Sequence, residues 1–464
     1  MPINSVHPAY TENKEMWQDC RDCFNGGRAV KGMAERYLPK LGGQNQSEYD
    51  SYKERALFFP IVSKTVSAMV GLATYKNPTV VYPPQMKAYF EDNQGAQFKE
   101  LFVGTMEQTV LIGRIGILVD APEVGGDPYV ATYHSENILN WRFGDDGELS
   151  WVVLQEYIVQ QKSTADEYEL TSVAQYRKLM LADGVYRVEI YNDKKEFVRA
   201  IVPTFSGQTL DFIPFLCVGT TGVHLDVDKS PMDDIAQINI SHYRTSADLE
   251  WGRHFTGLPT PVVSGVDASS SLRIGGMSAW ILPDPGAKAM YLEFTGQGLQ
   301  SLEKALGEKQ GQMASMSARM IDQGTRGSEA AETVRLRYLS ETASLTQIVE
   351  SVEKALNHVF HIIAQMLRVT GEIKIELSRD FLAAKLTAQD LTALFNAYFQ
   401  GGISKESLVY NLRRGELLDP KRTDDEELSA IQDPQTLDEK LALAKAAAKP
   451  ATNPGSKSTS KGAA

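Results

Sequence analysis

Two long helical patterns that follow one another almost directly constrain the fold of this chain more than any other feature. Over 298–321 apolar residues return every three or four positions, and over 329–369 a second stripe repeats at sevens with apolar residues between. The second pattern covers about 40 residues, or roughly 60 Å, which is longer than a typical single-domain helix. The apolar positions are, in order, Leu299, Leu302, Leu306, Met313, Met316 and Met320, then Tyr338, Leu345, Ile348, Val352, Leu356, Val359, Ile363 and Met366.

The short segment DQGTRGSE (322–329) separates the two patterns, and two glycines in it flank one arginine. Glycine adopts backbone conformations that other residues avoid, so Gly324 and Gly327 predict a turn or a flexible loop with Arg326 at its centre. An ordinary connection between two helices, with the arginine solvated, has the same composition. The residues alone leave both interpretations open.

The part of the chain before these patterns combines helices with strands. Helical segments are predicted around 51–73 and 96–113, and the second runs into a buried-strand pattern at 114–120. From 129 to 218 the polarity alternates with a period of two, which indicates an antiparallel sheet. The fold class predicted is therefore α+β.

Two predicted turns and one strand with an apolar face lie within the predicted sheet. The segments GDDG (144–147) and NDKK (192–195) are predicted turns between strands. In the strand between them, Tyr186, Val188 and Ile190 share one face, which we expect to be buried.

A third helix of about 25 residues is predicted to begin near residue 230 and to end at roughly Phe255. The preceding HLDVDKSPMDD (224–234) alternates acidic residues as a calcium loop does, but Pro231 and Gln237 occupy positions where such a loop needs glycine and glutamate. Ser230 is better read as the N-cap, with proline in the first helical position and aspartates in the first turn.

Charge and hydropathy exclude several classes of protein. The 464 residues are 42% hydrophobic, which allows two or three domains, and carry a net charge of −12. That charge is opposite to the basic surface of a protein that grips nucleic acid statically. No run approaches the roughly 20 apolar residues of a membrane span, and the N-terminus lacks the apolar region of a signal peptide. We therefore expect neither secretion through a signal peptide nor membrane insertion.

The cysteines and two histidines give weak metal signals. Cys20 and Cys23 have CxxC spacing, but Cys217 lies alone far downstream, so a complete zinc site is not expected. His358 and His361 could share a metal at helical spacing, but no carboxylate accompanies them as in HExxH, which favours packing or interface roles. No metal and no cofactor is predicted.

No motif points to catalysis. The glycines of GGRAVKGMAE (26–35) suggest a phosphate loop, but its lysine and hydroxyl residue are missing. The acidic run 424–427 is typical of a solvated face. We expect the protein not to be an enzyme, although a site dispersed over distant carboxylates is an alternative.

Six stretches of the chain together resemble one family. In their order along the chain they are similar to the portal proteins of tailed double-stranded DNA bacteriophages, which form the head-to-tail connector ring, and among these to a group whose domain was long catalogued as of unknown function. The stretches are LFFPIVSKTVSAMVGLATYKNPTVVYP (57–83), VLIGRIGILVDAP (110–122), NILNWRF (137–143), SPMDDIAQINISHYRTSADLE (230–250), GSEAAETVRLRY (327–338) and GGISKESLVYNLRRGELLDP (401–420).

The resemblance implies a portal-like subunit with a definite division of the chain. A wing of helices and antiparallel sheet, a helical stem, a small strand-containing clip, a long wing helix and a small helical crown are expected. The parts are 1–229 (wing), 230–255 (first stem helix), 256–296 (clip), 297–321 (second stem helix), 322–328 (tunnel loop), 329–369 (long wing helix), 370–384 (return to the wing), 385–444 (crown-like segment) and 445–464 (disordered tail).

The resemblance also implies a function and partners. It implies a homo-oligomeric ring of about twelve copies at a unique capsid vertex, which conducts double-stranded DNA during packaging and ejection. The expected partners are the terminase large subunit, the major capsid or scaffold protein and a head-tail adaptor. The expected location is the virion, with the host cytoplasm during assembly.

Two sets of residues become candidate DNA contacts on this interpretation. The tunnel loop would carry Arg326 to the channel axis, where one arginine per subunit touches phosphates transiently while the acidic ring lets the DNA slide. On the second stem helix, charged side chains either line the channel or pair across subunits. The candidates are Gln323, Gly324, Thr325, Arg326, Gly327 and Ser328 in the loop and Lys304, Lys309 and Arg319 on the helix.

One competing interpretation keeps the long helices but drops the channel. A peripheral adaptor could scaffold a partner through its helices and never touch DNA. The glycine-flanked loop and the small clip favour the portal interpretation over the adaptor and over a dispersed enzyme site.

Overall fold

The structure is a computed structural model, and it divides the chain into two compact units, Met1–Phe381 and Leu382–Ala464. Helices and antiparallel strands both occur in the first unit, so the α+β class is confirmed. The residues that the structure describes are 2–91, 96–122, 126–163, 166–205, 207–257, 260–264, 286, 288–292, 297–321, 331–379, 381, 388–414, 417–418 and 422–430.

The N-terminal part of the first unit is mainly helical. Its helices are α1 (Pro8–Asn25), α2 (Gly27–Gly32), α3 (Gln46–Arg55), α4 (Ile61–Ala73), α5 (Lys87–Glu91) and α6 (Ala96–Ile112), and a short strand, β1 (Thr79–Val81), lies between α4 and α5. The helix predicted at 96–113 is confirmed as α6. The long N-terminal helix α1 was not predicted.

The helical segment predicted around 51–73 is two helices, and that prediction was wrong as a single element. α3 ends at Arg55, Ala56 has an extended backbone with φ −56° and ψ 133°, and α4 begins only after Pro60. Proline disfavours helical geometry in the residue before it, which is Phe59, and it lacks the amide hydrogen that an interior helical turn needs. The apolar spacing continued through this break and hid it.

A three-stranded antiparallel sheet lies at the centre of the unit. β2 (Arg114–Asp120) is buried along its whole length between β3 (Tyr129–His134) and β9 (Phe215–Gly219). Strands buried on both faces read as continuous apolar runs, which is why 114–120 was predicted correctly.

A glycine makes the turn from α6 into β2 possible. Gly113 has φ 84°, and a Cβ there would lie 3.1 Å from the carbonyl oxygens of Asp228 and Lys229. Only glycine allows this turn to touch the backbone that leads into the next long helix.

The second sheet has five antiparallel strands, and their order in the sheet is the same as their order in the sequence. Both predicted turns are confirmed, as is the buried face of Tyr186, Val188 and Ile190. The strands are β4 (Ile138–Phe143), β5 (Leu149–Ser163), β6 (Asp166–Ala182), β7 (Val185–Tyr191) and β8 (Phe197–Ile201).

Three long helices complete the unit. α7 (Asp233–Gly257) and α8 (Gln297–Ile321) are separated by an antiparallel hairpin of β10 (Thr260–Ser264) and β11 (Lys288–Leu292). They are followed by α9 (Ala331–Leu367), the longest helix in the described part of the chain.

The chain returns to its N-terminal part after α9. β12 (Lys374–Glu376) pairs antiparallel with β1, and the Asn357 side chain on α9 bonds both the amide hydrogen and the carbonyl oxygen of Ile375. The end of α9 is therefore attached to the same unit as α4 and α5.

The second unit contains three short helices in its described part. They are α10 (Ala388–Phe399), α11 (Lys405–Arg414) and α12 (Asp424–Ala430). Leu408, Val409 and Leu412 are its buried apolar side chains, and Arg413 forms an ion pair with Asp424. The predicted tail 445–464 lies outside the described residues.

Candidate functional site

The start of α7 is held against α6 by one buried serine. The Ser230 hydroxyl accepts a hydrogen bond from the Met232 amide at 3.0 Å and donates to the Leu111 carbonyl oxygen at 2.6 Å. The Ser230 side chain thus caps the Met232 amide, but regular helical bonding begins at Asp233, so the prediction of Ser230 as N-cap and Pro231 as first helical residue was wrong by two residues. The hydroxyl's bond to α6 positions Ser230 before the first turn rather than on it.

α7 and α8 form an antiparallel pair, called the helix pair below. Gly252 faces Leu299 near the hairpin, while His242 faces Gln310 at the other end with 3.2 Å between their side-chain nitrogens. A Cβ at Gly252 would lie 2.6 Å from a methyl carbon of Leu299. The missing side chain thus lets the two helices approach closely beside the hairpin.

The half of the helix pair next to the hairpin projects from the core. α7 has no buried side chain after Leu249, and the first buried side chain described in α8 is Met313. Phe255 is 50% exposed, and in the hairpin Met290 is 59% exposed. The other half is fixed, because Ser317 hydrogen-bonds Thr65 of α4 at 2.9 Å.

The candidate charges on α8 have partners within the chain. Lys304 is highly exposed and pairs with Glu308 at 3.8 Å, while Glu303 pairs with Arg253 of α7 at 2.8 Å. Such exposed pairs are each worth only about 0–1 kcal/mol, so they leave the projecting half free to exchange partners in an assembly.

Lys309 is held against α7 and does not project into solvent. Its ammonium group donates to the Ser241 carbonyl oxygen at 3.2 Å and to the Thr245 hydroxyl at 2.5 Å. Burial lowers the pKa of Lys309, and the Asp248 carboxylate opposes that shift. Within the chain this lysine ties the two helices together.

The tunnel-loop candidates lie outside the described residues. α8 ends at Ile321 and α9 begins at Ala331, so 322–330 connect two described helices. The side chain of Arg319 also lies outside the described part, although its backbone belongs to α8.

α9 packs against the body through the predicted apolar stripe. Its contacts are with α4, α6, α8, β2, β9 and β12, and the side chain of Tyr338 is outside the described part. The remaining stripe positions are all buried, which confirms this part of the prediction: Leu345, Ile348, Val352, Leu356, Val359, Ile363 and Met366.

The two histidines of α9, His358 and His361, are exposed, so they do not pack in the core of the chain. The Nδ1 atom of His361 lies 2.6 Å from the Asn357 carbonyl oxygen of its own helix. In the described part of the chain no group of three His, Cys, Asp or Glu side chains could hold a metal ion.

Cys20 and Cys23 are buried thiols of α1 that face the start of α7. Cys20 contacts the Ser230 hydroxyl at 3.4 Å, and Cys23 contacts the Ala236 carbonyl oxygen at 3.9 Å. Burial raises the pKa of Cys20 to about 12, and burial raises the pKa of Cys23 as well. Both thiols therefore stay protonated and inert at neutral pH.

Sequence reasoning missed a buried ionic cluster where the two sheets meet. The Arg177 guanidinium contacts Asp120 at 2.6 Å and Glu156 at 3.3 Å, and Tyr133 donates to Glu156 at 2.5 Å. Tyr129 donates to Asp120 at 3.1 Å. The cluster borders a cavity of about 520 Å³. Its carboxylates are already matched by donors, which is the arrangement of a structural cluster.

His242, at the contact between the two helices of the pair, is expected to make the stability of the fold depend on pH. Burial and the nearby Lys309 ammonium lower the pKa of His242 below its ordinary value of 6.5. The unfolded chain therefore binds more protons than the folded chain as pH falls below about 6.5, so stability is full above that pH and declines below it.

The slope that His242 contributes cannot exceed about 1.4 kcal/mol per pH unit. We expect His242→Asn to reduce the loss of unfolding free energy between pH 7.5 and pH 5.5, measured by urea denaturation. Burial also lowers the pKa of His7 and His134, so part of the loss should remain in the variant. Equal losses in variant and parent would show that His242 is not involved.

No helix in the described part of the chain has both the length and the hydropathy needed to cross a membrane.

Comparison with known proteins identifies one family match. A domain of unknown function, DUF4055, matches residues 231–367, which contain the helix pair, its hairpin and α9. No curated protein matches the chain significantly.

Solved structures with a partial likeness come from gene transfer agent (GTA) particles. The neck of a native GTA particle, computed with C12 symmetry, has a TM-score of 0.40 and 14% identity, covering 76% of this chain and 89% of that chain. The neck of an empty particle, computed with C6 symmetry, has a TM-score of 0.39 and 13% identity over 80% and 94%. The virion of the native particle has a TM-score of 0.36 and 13% identity over 82% and 98%.

Proposed function

We propose that this protein is the portal subunit of a tailed, phage-like particle: a non-enzymatic ring at the capsid vertex that conducts double-stranded DNA. The observation that carries the proposal is the helix pair, whose half next to the hairpin projects from the core and whose second helix, α8, is followed after residues 322–330 by the long helix α9. The six family-like stretches support it, because two of them lie in this region.

The projecting half of the helix pair is suited to contact other copies. Between Leu299 and Met313 its apolar positions are incompletely covered within the chain. Copies placed side by side around an axis would cover this face, and head-to-tail contacts of one kind close into a ring. In that arrangement the α7–α8 pairs form the wall of a channel, and the β10–β11 hairpins form its outer rim.

α9 gives the segment before it a rigid support. Its second half is buried in the body from Leu345 to Met366, so the position at which α9 begins is fixed by the core at its other end. We infer that 322–328 form a loop at the channel axis, with Arg326 as its phosphate contact. An overall charge of −12 keeps other contacts with DNA weak, which suits a duplex that must slide.

On this proposal, the portal itself catalyses no reaction. The terminase large subunit supplies the motor, and the hairpin rim is the surface we assign to the terminase and later to a head-tail adaptor. The major capsid or scaffold protein surrounds the wing. The protein then belongs to the virion and is assembled in the host cytoplasm.

Electron microscopy of the purified chain, combined with native mass spectrometry, tests the proposal. The expected result is a ring of about a dozen copies around an open channel that admits duplex DNA. A monomer or dimer without a channel, stable across protein concentrations, would overturn it and favour a peripheral adaptor that never contacts DNA.

Arg326 tests the mechanism apart from the architecture. We expect Arg326→Ala to leave ring size and thermal stability unchanged and to lower the amount of nuclease-protected DNA per particle, because one phosphate contact per subunit is lost. Arg326→Lys keeps the charge and should restore most of the packaged DNA. Normal genome length and particle stability in the alanine variant would remove Arg326 from the mechanism.

A further inference from the structure

β5 and β6 extend beyond the rest of their sheet as a two-stranded ribbon. β4 pairs with β5 only as far as Leu154, and β7 pairs with β6 only from Tyr176 onward. Beyond these points Glu156–Gln161 pair only with Leu170–Gln175. An isolated two-stranded ribbon is at best marginally stable in water, so this one is suited to pack against something else.

One face of the ribbon is apolar and exposed. Tyr157 lies opposite Ala174, Val159 opposite Ser172, and Leu170 opposite Gln161, so all of these side chains lie on the same face. Tyr157, Val159 and Leu170, called the apolar stripe below, are 61%, 67% and 61% exposed. This face carries no charged residue from Gln155 to Gln161 or from Leu170 to Ala174.

The same face is covered where the ribbon joins the sheet. There Val153, Tyr176 and Leu139 form a small core that Ile3 and Tyr10 close from the N-terminal side. The apolar stripe therefore continues a surface that the protein buries elsewhere.

The opposite face of the ribbon is more polar. It carries Gln160 opposite Thr171 and an ion pair between Lys162 and Glu169, beside a single apolar pair, Ile158 opposite Val173. The apolar stripe is thus a property of one face, as expected of a docking surface rather than of a solvated arm.

We propose that the apolar stripe docks on a second copy of this chain, at the outer edge of β8. This inference rests on the proposed ring. Copies that each carry a net charge of −12 repel one another, so contacts between copies are favoured where carboxylates are absent, as they are on the stripe face. The stripe alone is smaller than the about 800 Å² per partner of a standard interface, so it adds to the contacts along the helix pair.

β8 is the matching surface on the neighbouring copy. It pairs with β7 on one side and with no other described strand, contains no carboxylate, and exposes Phe197 and Val198 at 55% each. Edge strands of this kind are usually covered, because their backbone groups can pair with another chain. Since the ribbon and β8 are different surfaces, the contact is head-to-tail, as a ring requires.

A charge placed on the apolar stripe tests the docking. Val159→Lys should raise the protein concentration needed for half-maximal ring assembly at least tenfold, measured by mass photometry. Gln160→Lys, one residue further on the opposite face, adds the same charge to the same strand and should change that concentration less than twofold.

The outcomes separate this inference from the proposed function. If the parent protein forms no ring, the proposed function fails and the inference with it. If the parent forms rings and Val159→Lys assembles equally well, the docking is overturned while the ring stands, and the stripe then serves a different partner.

A cross-linking variant decides the matter should Val159→Lys fail to fold. Cys20, Cys23 and Cys217 are fully buried, so Val159→Cys combined with Val198→Cys adds the reactive thiols. A short bifunctional maleimide should link the double variant into a ladder of multimers, because each copy both donates and receives a ribbon. Intact rings that yield no ladder would overturn β8 as the docking surface.

Discussion

Arg177→Ala is expected to lower the free energy of unfolding by about 3–5 kcal/mol, because it leaves two carboxylates near one another without their cation. Asp120 and Glu156 both contact this guanidinium, and the side chains of Asp120 and Arg177 are only 5% and 14% exposed. Burial opposes the charge on Arg177, but Asp120 and its neighbours hold its pKa above the ordinary value, so the cation persists at any working pH.

A second ion pair on the same two strands provides the matched control. Lys162 and Glu169 pair across β5 and β6 in the ribbon, but their side chains are 61% and 46% exposed. Lys162→Ala should cost no more than about 1 kcal/mol. Urea denaturation of the two variants at pH 7 measures the difference. Equal costs would mean that the Arg177 cluster is as well solvated as the ribbon and does not fasten the two sheets together.

This ionic cluster also illustrates what the sequence could not predict. Asp120 ends a buried strand, and Glu156 and Arg177 lie on strands whose register brings them together. Nothing local to any of the three residues indicates a partner, because the contact depends on how the sheets pack. The same holds for Lys309, whose partners on α7 depend on the helix crossing.

Elements with one buried face were predictable, because burial leaves a period in the sequence. The ends of α8 and α9 lie within two residues of their predicted positions. The alternation at Tyr186, Val188 and Ile190 likewise indicated a face that is buried in the structure.

The ribbon was predictable only in part. The antiparallel sheet predicted over 129–218 includes the ribbon, but its length and pairing, which continue to Ser163 and return through β6, were not predicted. Beyond Val159 neither face of the ribbon packs on the core, so no consistent alternation marks these residues as strands. A contact with another copy leaves little trace in the sequence of one chain.

Phe360→Ala is expected to lower the free energy of unfolding by about 3–5 kcal/mol, the usual cost of emptying a buried aromatic site. Phe360 of α9 is 2% exposed, and its ring centroid lies 4.5 Å from that of Phe90 of α5 and 5.7 Å from that of Phe98 of α6. These contacts fasten α9 to the N-terminal helices α5 and α6.

The control for Phe360 is His358→Ala, which removes an exposed side chain two residues earlier on the same helix and should change stability by less than about 0.5 kcal/mol. If α9 is the rigid support of the loop before it, Phe360→Ala should also increase hydrogen exchange along α9 below its unfolding midpoint, whereas His358→Ala should not. A cost below about 1 kcal/mol with unchanged exchange would mean that the stripe from Leu345 to Ile363 anchors α9 without these aromatic contacts.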